Sequence, residues 1–103
     1  MVRNRAPSFQ TRKVLAALMN RPADWRYGYD LAKQAGISSG TLYPLLIRLH
    51  ERGFLEAEWI EANRPGRPAR HAYRLSGAGR AYAQALEDEK AEAPPIGALG
   101  APA

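Results

Sequence analysis

The segment from Ala35 to Gly53 constrains the fold more than any other part of the chain. Gly36 can take the left-handed backbone that closes one helix, and Ser38 can then offer its hydroxyl to the open N–H groups of the next. Leu42, Leu45, Leu46 and Leu49 follow at i, i+3, i+4 and i+7, a stripe that faces a core. The other face carries Gly40, Thr41, Pro44, Arg48 and Glu51. Small and polar residues at a helix start, with an arginine one to two turns on, suit a helix that slides against phosphates and reaches base edges. The segment therefore predicts a helix-turn-helix. Pro44 would meet a carbonyl one turn back if the helix begins at Ser39. Either Thr41 is the effective N-cap and Pro44 lies in the first turn, or the helix bends there.

Composition limits what can surround this unit. The chain has 103 residues and no cysteine, enough for one modest core and without the thiols for a disulfide framework or a thiolate metal site. His50 and His71 have no third ligand at metal spacing, so neither a metal nor a cofactor is expected. No apolar run reaches the roughly 18 residues of a membrane span, and Met1 to Arg5 lacks the apolar block of a signal peptide. The expectation is a cytoplasmic protein with no membrane partner.

Charge is unevenly distributed. Residues 1–80 hold 14 basic residues against 6 acidic ones, a net charge of +8. Arg3, Arg5, Arg12, Lys13 and Arg21 form one acid-free segment, and Arg64, Arg67, Arg70, Arg74 and Arg80 another, whereas Glu87, Asp88, Glu89 and Glu92 gather near the end. Clustered arginine in a small domain is the electrostatic footprint of a polyanion partner.

Pro7-Ser8 starts a first helix, with Phe9, Val14, Leu15, Leu18 and Met19 as its apolar stripe and an end near Asn20 to Pro22. A short second helix is expected from about Tyr27 to Ala35, with Tyr29, Leu31 and Ala32 available for packing. Beyond Gly53 the period becomes two. Leu55, Ala57 and Trp59 alternate with Glu56, Glu58 and Ile60, then His71, Tyr73 and Leu75 alternate with Arg70, Ala72 and Arg74. Between the runs, Pro65, Gly66 and Pro68 exclude regular pairing and leave Arg64 and Arg67 at a basic tip. The reading is mainly α with a small β-hairpin: a winged helix-turn-helix with a three-helix core, a two-stranded wing and a C-terminal dimerisation helix.

That last helix should start at Ser76 and run to about Ala91 or Glu92, with Tyr82, Ala85 and Leu86 on one face. Packing on its own core is one account of this face. The other, preferred here, is a seam between two copies built from Leu15, Leu18, Tyr82, Ala85 and Leu86. The organisation follows: a DNA-binding unit over 1–75, a dimerisation helix over 76–92, and a disordered tail over 93–103.

The residues also resemble a known family, the PadR-type transcriptional regulators, over about Val14 to Leu86. The likeness rests on Tyr27 to Leu31, on Ser39 to Leu46 with Arg48, Leu49 and Gly53 to Leu55, and on Gly66 to Ser76 with Gly79. It implies a winged-helix homodimer that binds an operator and represses transcription, with release by a small molecule in some members. It further implies that Ser38 to Tyr43 enters the major groove, that Arg64 to Arg70 forms the wing, and that the C-terminal helix builds the dimer. Two features depart from the pattern: Ala72 stands where the family commonly shows an aromatic, and the region from Ser76 to Glu92 is short. An effector would then have to bind at the dimer interface or beside Trp25, Trp59 or Tyr82.

The expected function is sequence-specific binding of double-stranded DNA by Ser38, Ser39, Gly40, Thr41, Tyr43, Arg48, Arg64, Arg67 and Arg70. Tyr43 could give its hydroxyl to a phosphate or pack on the wing. The alternative is a winged helix that binds DNA architecturally or docks proteins. An enzyme is disfavoured, because no Ser-His-Asp set, glycine-rich phosphate loop or paired acidic motif is present.

Overall fold

The computed structural model describes residues 7–61, 65, 66 and 68–92. The flanking residues 1–6 and 93–103, together with Arg64 and Arg67, lie outside the described residues, so the expectations for the tail and for those two arginines do too. In chain order the elements are α1 (Phe9–Asn20), β1 (Arg26–Tyr27), α2 (Gly28–Ala35), α3 (Ser39–Glu51), β2 (Leu55–Ile60), β3 (Arg70–Leu75) and α4 (Gly77–Glu92). The strands form an antiparallel sheet in the order β1-β3-β2.

Local chemistry sets the boundaries. Ser8 caps α1, its Oγ accepting from the Thr11 N–H at 3.1 Å. Gly36 closes α2 at φ 72°, donating its N–H to the Ala32 and Lys33 carbonyls. Two residues later Ser38 opens α3 by accepting from the Thr41 N–H at 3.2 Å. The helix therefore starts before Thr41, and Pro44 sits inside it, past the first turn. Having no N–H, Pro44 leaves the Gly40 carbonyl without its usual i+4 donor. That carbonyl belongs to an exposed residue, where water can satisfy it.

The core is assembled from the leucine stripe of α3. Leu42 and Leu46 are fully buried, together with Val14 of α1, Leu31 of α2 and, nearly so, Leu75 of β3. Two aromatic expectations fail. Phe9 and Tyr29 are 71% and 68% exposed, because the buried face of α1 runs through Val14, Leu15, Ala17 and Leu18 and that of α2 through Leu31, Ala32 and Ala35. The second helix also begins one residue later than expected. Arg26 and Tyr27 form β1, pairing with Tyr73 and Ala72 of β3. The hairpin register matches the alternating pattern, with Leu55 opposite Leu75, Ala57 opposite Tyr73 and Trp59 opposite His71.

One junction ties the hairpin to α4. The Ser76 hydroxyl donates to the Gly53 carbonyl at 2.6 Å and accepts the Gly79 N–H at 3.0 Å, and the Ser76 N–H donates to the Phe54 carbonyl at 3.0 Å. Phe54 and Tyr82 then stack with ring centroids 4.4 Å apart. Gly79 permits this approach, since a Cβ there would lie 1.9 Å from the Phe54 carbonyl oxygen. In an unencumbered helix, Gly→Ala gains about 1 kcal/mol from helix propensity. Here the overlap is with backbone and outweighs that gain. Gly79→Ala is expected to lower the thermal midpoint of the purified protein; a higher midpoint would show that α4 is not held this closely.

Candidate nucleic-acid interface

With its leucines turned inward, α3 presents Ser39, Gly40, Thr41, Tyr43, Pro44, Ile47 and Arg48 to solvent. The first turn contains no acidic residue, so the partial positive charge of the helix N-terminus is uncompensated there. Ser38, Ser39, Gly40 and Thr41 cluster at that end, and the Ser38 Oγ donates to the Thr41 Oγ1 at 3.2 Å. Arg48 extends the same face about two turns along.

Tyr43 is 41% exposed and leans back onto the start of α2, where a Cβ on Gly28 would come within 2.9 Å of its ring and hydroxyl. Gly28 thus provides a seat for an aromatic ring on the exposed flank of α3. Close by, the Tyr73 hydroxyl is within hydrogen-bond distance of His71 Nδ1, at 3.0 Å, and His71 stacks on Trp59 with centroids 4.5 Å apart. Burial, with a smaller contribution from Tyr43, raises the Tyr73 pKa above its ordinary value of 10.0. The folded state therefore favours the neutral phenol. Its contribution to stability is fully present below pH about 10 and is lost as pH rises through the higher folded value. In alkaline unfolding titrations, Tyr73→Phe should lose stability less steeply above pH about 10 than the unsubstituted chain; equal slopes would show that the phenol is not held neutral by the fold.

The basic segment of residues 62–80 divides once the contacts are seen. Arg74 pairs with Glu56 at 2.6 Å, lies over Trp25 with its Cζ 4.3 Å from the ring centroid, and donates to the Ala23 carbonyl at 3.4 Å. Arg80 donates to the Pro22 carbonyl at 3.4 Å. Both arginines brace the connector between α1 and β1. Arg70 is exposed on the same face of β3, with its Cζ 3.9 Å above the Tyr27 ring.

The residues expected at a seam between copies fall into two groups. Leu15 and Leu18 are 2% and 1% exposed, so the protomer's own core takes their side chains; the reason is that α1 packs against α2 and α4 of the same protomer. Leu86 is buried, Tyr82 is half-buried against Phe54, and Ala85 is exposed. Between α1 and α4 lies an open, mostly apolar groove of about 360 Å³, lined by Phe9, Leu15, Ala16, Met19, Ala83 and Leu86 and edged by Arg12, Lys13 and Glu87. Phe9, placed by sequence in the core stripe, instead stands at this groove. Among the described residues, no group of three or more His, Asp or Glu is placed to hold a metal ion, and no helix is long and apolar enough to cross a membrane.

A capped helix whose polar face is outside, preceded by a tight turn and flanked by a three-stranded sheet with an arginine-bearing hairpin, defines a winged helix-turn-helix DNA-binding transcriptional regulator. The chain belongs to the PadR-like family of transcriptional regulators, whose family model matches residues 14–85. It is similar to a PadR family transcription regulator from Clostridium difficile, with 21% identity over 80% of this chain and 86% of that one and a TM-score of 0.68. A PadR family transcriptional regulator from Eggerthella lenta is 31% identical over 76% of this chain and 70% of its own, with a TM-score of 0.62. The fold extends to MepR, a transcription regulator of the Staphylococcus aureus multidrug efflux pump MepA, at 20% identity over 82% of this chain and 58% of that one and a TM-score of 0.69. No curated protein matches the sequence significantly.

Proposed function

We propose that the chain represses transcription by binding a palindromic operator as a homodimer. The observation that carries this reading is the exposed N-terminal face of α3, free of acidic residues in its first turn, in a chain whose hairpin bears the exposed Arg70. In the proposed complex, Ser38, Ser39, Gly40 and Thr41 enter the major groove with Arg48 following. Tyr43 contacts the backbone from its seat on Gly28, and Arg64, Arg67 and Arg70 of the wing track the adjacent phosphates. Thr41 and Arg48 read base edges.

The groove between α1 and α4 supports the dimer. It places an apolar surface, with Phe9 71% exposed, between the basic edge of Arg12 and Lys13 and the acidic edge of Glu87. A second copy related by a two-fold axis would cover it with matched apolar area and opposite charge. An effector small molecule, where one acts, would compete for or complete this same interface. The seam is drawn from Phe9, Met19 and Leu86 with Leu15 and Ala83 beneath them; of the residues expected there from sequence, Ala85 does not line this groove and Tyr82 stacks on Phe54.

Selection of bound sequences from a random DNA pool at about 150 mM salt, where nonspecific phosphate attraction is suppressed, tests the operator reading. Enrichment of a palindrome is expected, and Thr41→Ala or Arg48→Ala should change the enriched sequence at particular positions. Binding without enrichment would instead indicate an architectural role or a protein-docking winged helix.

The dimer is tested by Phe9→Glu, which adds charge to the groove without disturbing the core. It should sediment as a monomer and lose operator affinity by at least tenfold, because the half-sites are no longer coupled. A dimer that survives this change would place the interface elsewhere.

A further inference from the structure

Two arginines stand four residues apart on β3, on the same face of the sheet, and each lies over an aromatic residue from the β1 side: Arg74 over Trp25 at 4.3 Å and Arg70 over Tyr27 at 3.9 Å. Their electrostatic situations are opposite. Arg74 is paired with Glu56 and bonded to the Ala23 carbonyl, and its side chain is 35% exposed. Arg70 is exposed, and among the described residues no carboxylate lies within 4.0 Å of it. The stacking ring holds its guanidinium by one face. With its Cζ 3.9 Å from the ring centroid and no carboxylate in reach among the described residues, its positive charge is left uncancelled.

The fold builds this pair deliberately into its backbone. Tyr27 is fixed by pairing with Ala72, and Gly28 begins α2 immediately after it. Ala72 contributes only a methyl group to the space across from the ring, so nothing larger competes with Arg70 for the stacking position. An arginine on a hairpin ordinarily samples many rotamers and loses that freedom when it docks. Stacked on Tyr27, Arg70 has already lost much of it.

We infer that Tyr27 is a positioning residue that presents the Arg70 guanidinium at the loop end of the wing as a preformed contact for a nucleic-acid phosphate, and that Glu56 withholds Arg74 from the same use. The inference rests on the DNA-binding reading above and adds to it a residue that need not touch DNA.

The test is a double-mutant cycle on the full chain, using a fluorescein-labelled mixed-sequence duplex of about 24 base pairs, long enough for two half-sites. Anisotropy is followed between about 50 and about 200 mM salt. Tyr27→Leu should weaken binding by about threefold to tenfold, while Tyr27→Phe, which keeps the ring, stays within about twofold of the unsubstituted chain. Arg70→Gln should lower the salt slope by about one, and adding Tyr27→Leu to it should cost nothing further. In the free protein, the Arg70 δ-methylene protons should resonate upfield through the ring current in the unsubstituted and Tyr27→Phe chains and lose that shift in Tyr27→Leu. This readout is independent of DNA and reports whether the ring lies against Arg70, while an unchanged thermal midpoint of Tyr27→Leu, within about 3 °C, is expected and separates positioning from a general loss of fold. Equal losses from Tyr27→Leu with and without Arg70, or full binding by Tyr27→Leu, would overturn the inference alone. Failure of the unsubstituted chain to bind the duplex would overturn the DNA-binding reading itself.

Discussion

The orientation of α3 depends on the burial of four leucines, and most of the molecule depends on that orientation. Leu42, Leu45, Leu46 and Leu49 are all at most 5% exposed. At about 1.5–3 kcal/mol for each buried side chain, their combined contribution is on the order of the whole net stability of a small domain. Rotating the helix by one residue would withdraw part of that stripe from the core, which the fold could not survive. The direction in which Thr41, Pro44 and Arg48 point is consequently a by-product of core packing. The surface proposed to read DNA is held by residues that would never meet it.

The wing is held just as firmly, but by backbone and polar contacts. At its root, Ser76 bonds Gly53 and Phe54 while Gly79 lets α4 close on the same turn. Along its length, β3 is bonded on both sides, to β2 and to the two residues of β1. Because β1 runs directly into α2, and Tyr43 of α3 rests on the first residue of α2, α3, the helix before it and the wing share one short stretch of chain around Tyr27 and Gly28. Arg26 anchors that stretch from the other side, donating to the Ala17 carbonyl at 2.9 Å and to the Gln34 side chain.

Periodicity made the largest features legible. The α3 stripe, the Ser8 and Ser38 caps, the Gly36 turn and the register of the hairpin could all be read from residue order, since each is a local pattern with one structural meaning. β1 could not be read, because two residues have no period and become a strand only by pairing with β3, more than 40 positions away. Phe9 and Tyr29 misled for a related reason: aromatic character suggests burial, but the helical face that is buried depends on which neighbours close over it. The candidate site was legible in its charge and not in its wiring. Arg70, Arg74 and Arg80 look equivalent in sequence, and only the fold separates the two that brace the α1–β1 connector from the one seated over Tyr27. Pro44 shows the limit of a sound rule, since an exposed carbonyl makes an internal proline tolerable where a buried one would not.

A sheet of three strands with β3 in the middle has two outer edges, and an open edge invites another chain to add to it. The edge of β1 is two residues long, too short to template a further strand. That of β2 is longer and carries Glu56 and Glu58. Glu56 is paired with Arg74, but two copies meeting there edge to edge would still bring the Glu58 carboxylates of both strands onto one face, which disfavours pairing. Growth of the sheet from molecule to molecule is thus discouraged at both ends, and crowded copies of this chain are steered away from fibre-like stacking towards contacts made by their helices.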